Sequence, residues 1–159
     1  MRPRWDDLHE LVGEAVHEGT LFDVYVLATS EEDWQRLLDL VRAKGWPFSY
    51  FESKSSITEM PADVSDVFKL WTSDSMASLA LALAPDVHAH CHFFSKDEIE
   101  LSLDPSEIRG QPQLDVVCDF VEAVGHTLRK DVLLCPENAP HSRFMRFDSK
   151  TDEIFVEAH

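Results

Sequence analysis

The residues Ser78-Leu79-Ala80-Leu81-Ala82-Leu83-Ala84, the turn Pro85-Asp86, and the run Val87-His88-Ala89-His90-Cys91-His92-Phe93 decide how this chain folds. The composition of the first run favours a helix. Its leucines nevertheless alternate, and the turn leads into a second alternating run, so residues 76–84 are read narrowly as a strand. Residues 87–94 and 99–103 then form a hairpin across the polar turn Ser95-Lys96-Asp97-Glu98. Val87, Ala89, Cys91 and Phe93 share one face, and Ile99, Leu101 and Leu103 share a face of the next strand. A slip of one residue would turn a whole apolar set outward, so the register must place both sets on the same side. His88, His90 and His92 then lie beside Glu100, Ser102 and Asp104 on the other side.

The sequence around this hairpin supplies helices. Residues 4–18 carry Trp5, Leu8, Val12, Ala15 and Val16 on one face and end at Gly19. A β-α-β unit over 21–52 follows. In it Ser30 caps a helix whose buried stripe is Trp34, Leu37, Leu38 and Val41, and Gly45 with Pro47 stops it. Residues 53–63 read as a polar loop, and Val64, Val67, Phe68 and Trp71 have helical spacing. The third strong helix spans 113–129 with Val117, Phe120, Val121, Val124 and Leu128 as its stripe. Val132–Cys135 is a short strand, and residues 143–157 form a C-terminal hairpin. The whole, residues 1–159, reads as a single domain: N-terminal helix 4–18, β-α-β 21–52, loop and insertion 53–85, hairpin, helix and strand 87–135, hairpin 143–157. The fold class is α+β, a mostly antiparallel sheet with two or three helices packed on one face. A ferredoxin-like arrangement with an insertion and a C-terminal hairpin is one fold-level description of it, without functional force.

A chain of 159 residues that is 44% hydrophobic and 28% charged can hide roughly 70% of its unfolded surface. It needs neither disulfides nor metals to hold a core. Cys91, Cys118 and Cys135 are odd in number, widely spaced and set in apolar runs, which fits small buried hydrophobes in a reducing compartment. No apolar run approaches the length of a membrane span, and no apolar signal core follows the basic residues at the N-terminus. The expectation is a soluble, cytoplasmic chain.

Thirty acidic residues stand against 14 basic ones, a net charge of -16 spread along the chain. That charge repels phosphate backbones and anionic lipid, so neither nucleic acid nor a membrane is expected as a partner. It speeds encounter with a basic protein.

Chemistry-bearing motifs are few. The five glycines form neither GxGxxG nor GxxxxGK[ST], and Gly-x-Ser-x-Gly is absent. Cys118 and His126 are too far apart along one helix to pair, and the strand turns Cys91 away from its flanking histidines. The histidine strand remains. Alternate side chains lie about 6.5–7 Å apart, close enough for two imidazoles to share a zinc ion. His88 and His92 are about 13 Å apart, so all three make a poor set for one ion.

Two function classes follow. One is a non-enzymatic, acidic protein-binding domain for a basic protein partner. Bacterial immunity and antitoxin proteins share this size and charge, an analogy that no motif carries. Its candidate surface is Asp97, Glu98, Glu100 and Asp104, with Trp46 as an exposed aromatic anchor if it does not simply cover the core. The other is a metal-binding module or metal-dependent enzyme using zinc on His88, His90 and His92. The residue pattern leans toward recognition without catalysis and does not speak to oligomeric state.

Overall fold

The computed structural model describes residues 2–52, 56–70, 76–139 and 141–157. In chain order the elements are α1 (Trp5–Glu18), β1 (Phe22–Leu27), α2 (Glu31–Lys44), β2 (Phe48–Glu52), β3 (Ser56–Thr58), α3 (Val64–Phe68) and β4 (Ala77–Ala84). Then come β5 (Val87–His92), β6 (Glu98–Leu103), a short 3-10 turn (Pro105–Glu107), α4 (Gln111–Leu128), β7 (Val132–Pro136), β8 (Met145–Asp148) and β9 (Glu153–Val156). The strands form one sheet in the order β3-β2-β4-β5-β6-β1-β7-β8-β9. Every neighbouring pair runs antiparallel.

Local chemistry explains the strongest elements. The Ser30 hydroxyl accepts from the Asp33 N–H, and the Asp33 carboxylate accepts from the Ser30 N–H at 3.0 Å, a reciprocal cap on α2. Gly19 and Gly45 close α1 and α2 at φ 71° and 68°, a backbone region costly for any residue with a Cβ. Residues 76–84 contain a strand, as alternation requires, with Ala77, Leu79 and Leu81 buried.

The hairpin register also follows the apolar sets. Ala89 faces Leu103, Cys91 faces Leu101, His90 faces Ser102 and His92 faces Glu100. All four helices send their buried residues into one cluster with the inward strand residues: Leu8 and Val12 from α1, Trp34 and Val41 from α2, Val67 from α3, Phe120 and Val121 from α4. The helices therefore cover one face. On the other, Tyr25, Leu133 and Cys135 form a small buried cluster.

Among the described residues four α-helices pack on the sheet, in keeping with the expected α+β class and its mostly antiparallel sheet. Two expectations need correction. The segment read as a polar loop contains β3, a three-residue edge strand pairing with β2. Val16, placed on the apolar face of α1, is 47% exposed, because the stripe of that helix closes on Leu8, Val12 and Ala15. Trp71 lies outside the described residues.

No disulfide joins the three cysteines, and all of them are buried. Burial pushes the thiols up, Cys118 to about 12, Cys135 to about 11 and Cys91 further still. Among the described residues no helix is long and apolar enough to cross a membrane.

Candidate functional site

No described helix packs on the second face of the sheet, and side chains there meet in cross-strand lanes. In one lane Leu133, Tyr25, Glu100, His92 and Ser78 are successive neighbours across β7, β1, β6, β5 and β4. In the next, Cys135, Asp23, Ser102, His90 and Ala80 follow the same path. Neighbouring strands lie about 4.8 Å apart, so each lane brings its groups within side-chain reach.

At the centre is a carboxylate pair bridged by a phenol. The Tyr25 hydroxyl lies 3.0 Å from Asp23 Oδ2 and 3.3 Å from Glu100 Oε1. Asp23 is only 4% exposed, and its Oδ2 also accepts the Asn138 N–H at 2.8 Å. The hydroxyl carries one proton, so it cannot donate fully to two ionised carboxylates at once. Burial, and then the Asp23 charge, raises the Glu100 carboxyl above the usual range. Burial, and then the bond to Asp23, raises the Tyr25 hydroxyl, which keeps it a donor.

Beside this network, His92 stacks on Phe94 with ring centroids 5.0 Å apart and planes at 11°. Phe94 is 59% exposed, the most exposed of the large apolar side chains described. Burial, and then the charge of His90, holds His92 below the ordinary histidine range. Glu98 shares the face two residues from Glu100 and has no ion pair among the described residues. The result is an exposed aromatic platform flanked by carboxylates, a setting that suits a guanidinium or ammonium group.

The residues expected from sequence are only partly brought together. Glu98 and Glu100 lie on this face, and Asp97 is in the exposed turn at one end of β6. Asp104 stands about 20 Å away at the other end, its carboxylate capping the 3-10 turn through the Ser106 N–H at 2.9 Å. Trp46 belongs to the helix side. Its ring packs 5.4 Å from that of Phe120 and lines a cavity of about 360 Å³ with Lys44, Glu122 and His126.

The three histidines are placed differently from one another. His88 is held by Glu107, with its Nδ1 2.8 Å from Oε2 and its N–H donating to Oε1 at 3.0 Å. His90 is exposed, and His92 is stacked. Among the described residues no group of three His, Cys, Asp or Glu side chains is arranged to hold a metal ion.

Asp23, Tyr25 and Phe94 do not stand out from the sequence as site residues. One signal is there: a lone carboxylate inside the apolar strand Phe22-Asp23-Val24-Tyr25-Val26-Leu27. A buried charge in such a place needs a partner. No protein-family model, no curated protein and no solved structure matches this chain.

Proposed function

We propose that this protein works by recognition, without catalysis, and that the open sheet face binds a basic segment of a protein partner. The observation that carries the reading is the Phe94–His92 stack beside Glu98, Glu100 and Asp23 on a face that no described element covers. An Arg or Lys side chain seated there would meet an aromatic face and carboxylates together. The net charge of -16 adds long-range attraction to the same partner. A cytoplasmic immunity or antitoxin role against a basic toxin is one setting with these properties. The two helical crossovers, β1-α2-β2 and β6-α4-β7, each span strands that lie between their ends. These crossovers are compatible with a ferredoxin-like unit with additions, an architecture that serves many functions and decides none.

The test is a titration of labelled protein with an arginine-rich peptide, followed by NMR at low and physiological salt. Amide shifts should concentrate in β1, β5 and β6 and weaken as salt rises, because exposed charges are screened beyond about 8 Å at physiological ionic strength. Glu98→Lys with Phe94→Ser should abolish the local shifts while leaving the fold intact. Shifts spread evenly over the acidic helices, unaffected by that double substitution, would sink the proposal. Zinc retained in stoichiometric amount after dialysis of untagged protein would favour the metal reading instead.

A further inference from the structure

The same face changes character at its β7–β8 end. There an open cavity of about 510 Å³ is lined by Arg129, Lys130, Arg143 and Arg146, with Leu27 and Leu133 as apolar wall. Four of the 14 basic residues of a chain with net charge -16 thus meet at one cavity. Its volume falls in the usual range for a small-molecule pocket.

The cations are not used up by their neighbours. Glu157 spans Arg143 and Arg146, one oxygen on each Nε, at 2.9 and 2.7 Å. Arg146 Nη1 also meets Asp148 at 3.0 Å. These bonds fix the two guanidinium planes and leave both Nη groups of Arg143 and the Nη2 of Arg146 without a hydrogen bond or ion pair among the described residues, while the Arg146 guanidinium lies over the Phe155 ring at 5.4 Å. Lys130 Nζ reaches only to 3.9 Å from the buried Asp33. The Arg129 side chain has no ion pair or hydrogen bond among the described residues. Asp131 is the acid on the lining, 3.6 Å from Arg146.

The backbone adds a separate observation. Ala28 and Arg129, both on the cavity wall, have φ of 54° and 55°. Arg129 ends α4, where this conformation is common, but an alanine at positive φ is unusual and costs free energy. It sits where β1 turns past the cavity toward α2. The carbonyl end of α4 also points to this region and opposes an anion, so any attraction must come from the side chains.

We infer that this cavity binds a small phosphate monoester with an apolar body, the phosphate on Arg129, Lys130 and Arg143 and the body on Leu27 and Leu133. Guanidinium groups match phosphate oxygens in pairs, and Leu27, 45% exposed, offers apolar surface with nothing on it. The site stands independently of the protein-recognition reading, since its ligand and its side chains are different.

The experiment titrates the labelled full chain, with no protein partner present, with phenyl phosphate, benzoate and inorganic phosphate, followed by NMR. Phenyl phosphate should bind saturably, shift the Leu27 and Leu133 methyls and the Ala28 amide, and outbind both other probes. Arg129→Gln with Arg143→Gln should weaken it at least tenfold without changing the unfolding midpoint by more than a few degrees. Absence of a saturable shift, equal affinity for inorganic phosphate, tighter binding of benzoate, or binding undiminished in the double variant would each overturn the inference.

Discussion

Gly125 of α4 lies against the ring of Phe147 on β8, and adding one methyl group there tests how tightly the helical layer is seated. A Cβ on Gly125 would stand 2.1 Å from Phe147 Cδ1, 2.2 Å from Cε1 and 3.0 Å from Cγ. Comfortable carbon contacts begin near 3.5 Å, so ring or helix must move by about 1.5 Å. The ring has no free side to move into: Phe147 is fully buried, and His126 packs on it edge to face at 5.2 Å. Overpacking of this kind costs about 1–3 kcal/mol, and a clash this deep belongs at the upper end. Replacing Gly by Ala inside a helix returns about 1 kcal/mol of propensity. The net expectation for Gly125→Ala is a loss of about 2 kcal/mol, or about 4–8 °C in Tm for a chain of this size. Urea unfolding followed by tryptophan fluorescence reads it as a lower midpoint with an unchanged slope. Gly13 in α1 is the control, since a methyl group there would meet nothing within 4 Å; Gly13→Ala should gain about 0.5–1 kcal/mol. Phe147→Leu combined with Gly125→Ala should cost less than the sum of the two changes. Equal stability of Gly125→Ala and Gly13→Ala would refute the close helix–sheet contact.

Other expectations follow from burial and charge. Val121 is fully buried in α4, so Val121→Asp strands a carboxylate at a cost of several kcal/mol against a total of about 5–15 and should unfold the chain, read by loss of tertiary circular dichroism. The three buried thiols should react slowly with a disulfide reagent at pH 8 in the native state and fast in urea; a native burst would contradict their raised pKa values. Glu100 has a raised folded pKa, so its contribution to stability is complete below the unfolded glutamate value near 4.3 and is lost as pH rises through the folded value. Glu100→Gln should therefore gain on wild type between pH 4 and 7, and a stability difference independent of pH would show that the carboxyl is not held up by its surroundings.

The helices and the sheet's parity are legible in the sequence because each rests on local signals that agree. Ser30 with Asp33, the stripe from Trp34 to Val41, and Gly45 specify α2 within 16 residues. The alternation of Leu79 and Leu81 overrides a helical composition because only a strand lets them face the core together. β3 escapes a sequence reading because three residues on a sheet edge leave no periodic pattern. The candidate site is less legible still. Parity places Glu98 and Glu100 on one face, but Asp23 meets Tyr25 and Asn138 through contacts up to 115 residues apart. Trp46 resembles an anchor from its place between Gly45 and Pro47, and only the position of Phe120 shows which layer it joins.

β1 sits between β6 and β7, its two partners in the sheet, and both lie far downstream in the chain. During synthesis at about 5–20 residues per second, the roughly 70 residues between β1 and β6 and the roughly 105 between β1 and β7 take several seconds to appear. For that interval the strand is an unpaired apolar segment of high β-propensity, the kind that associates with copies of itself. Asp23 places a charge inside it, in the manner of the gatekeeper residues that guard unavoidable hydrophobic strands. In the nascent chain that carboxylate is solvated and repels its counterpart on a neighbouring chain. Once β7 arrives, Tyr25 and Asn138 take it over, and the same side chain becomes part of the completed sheet.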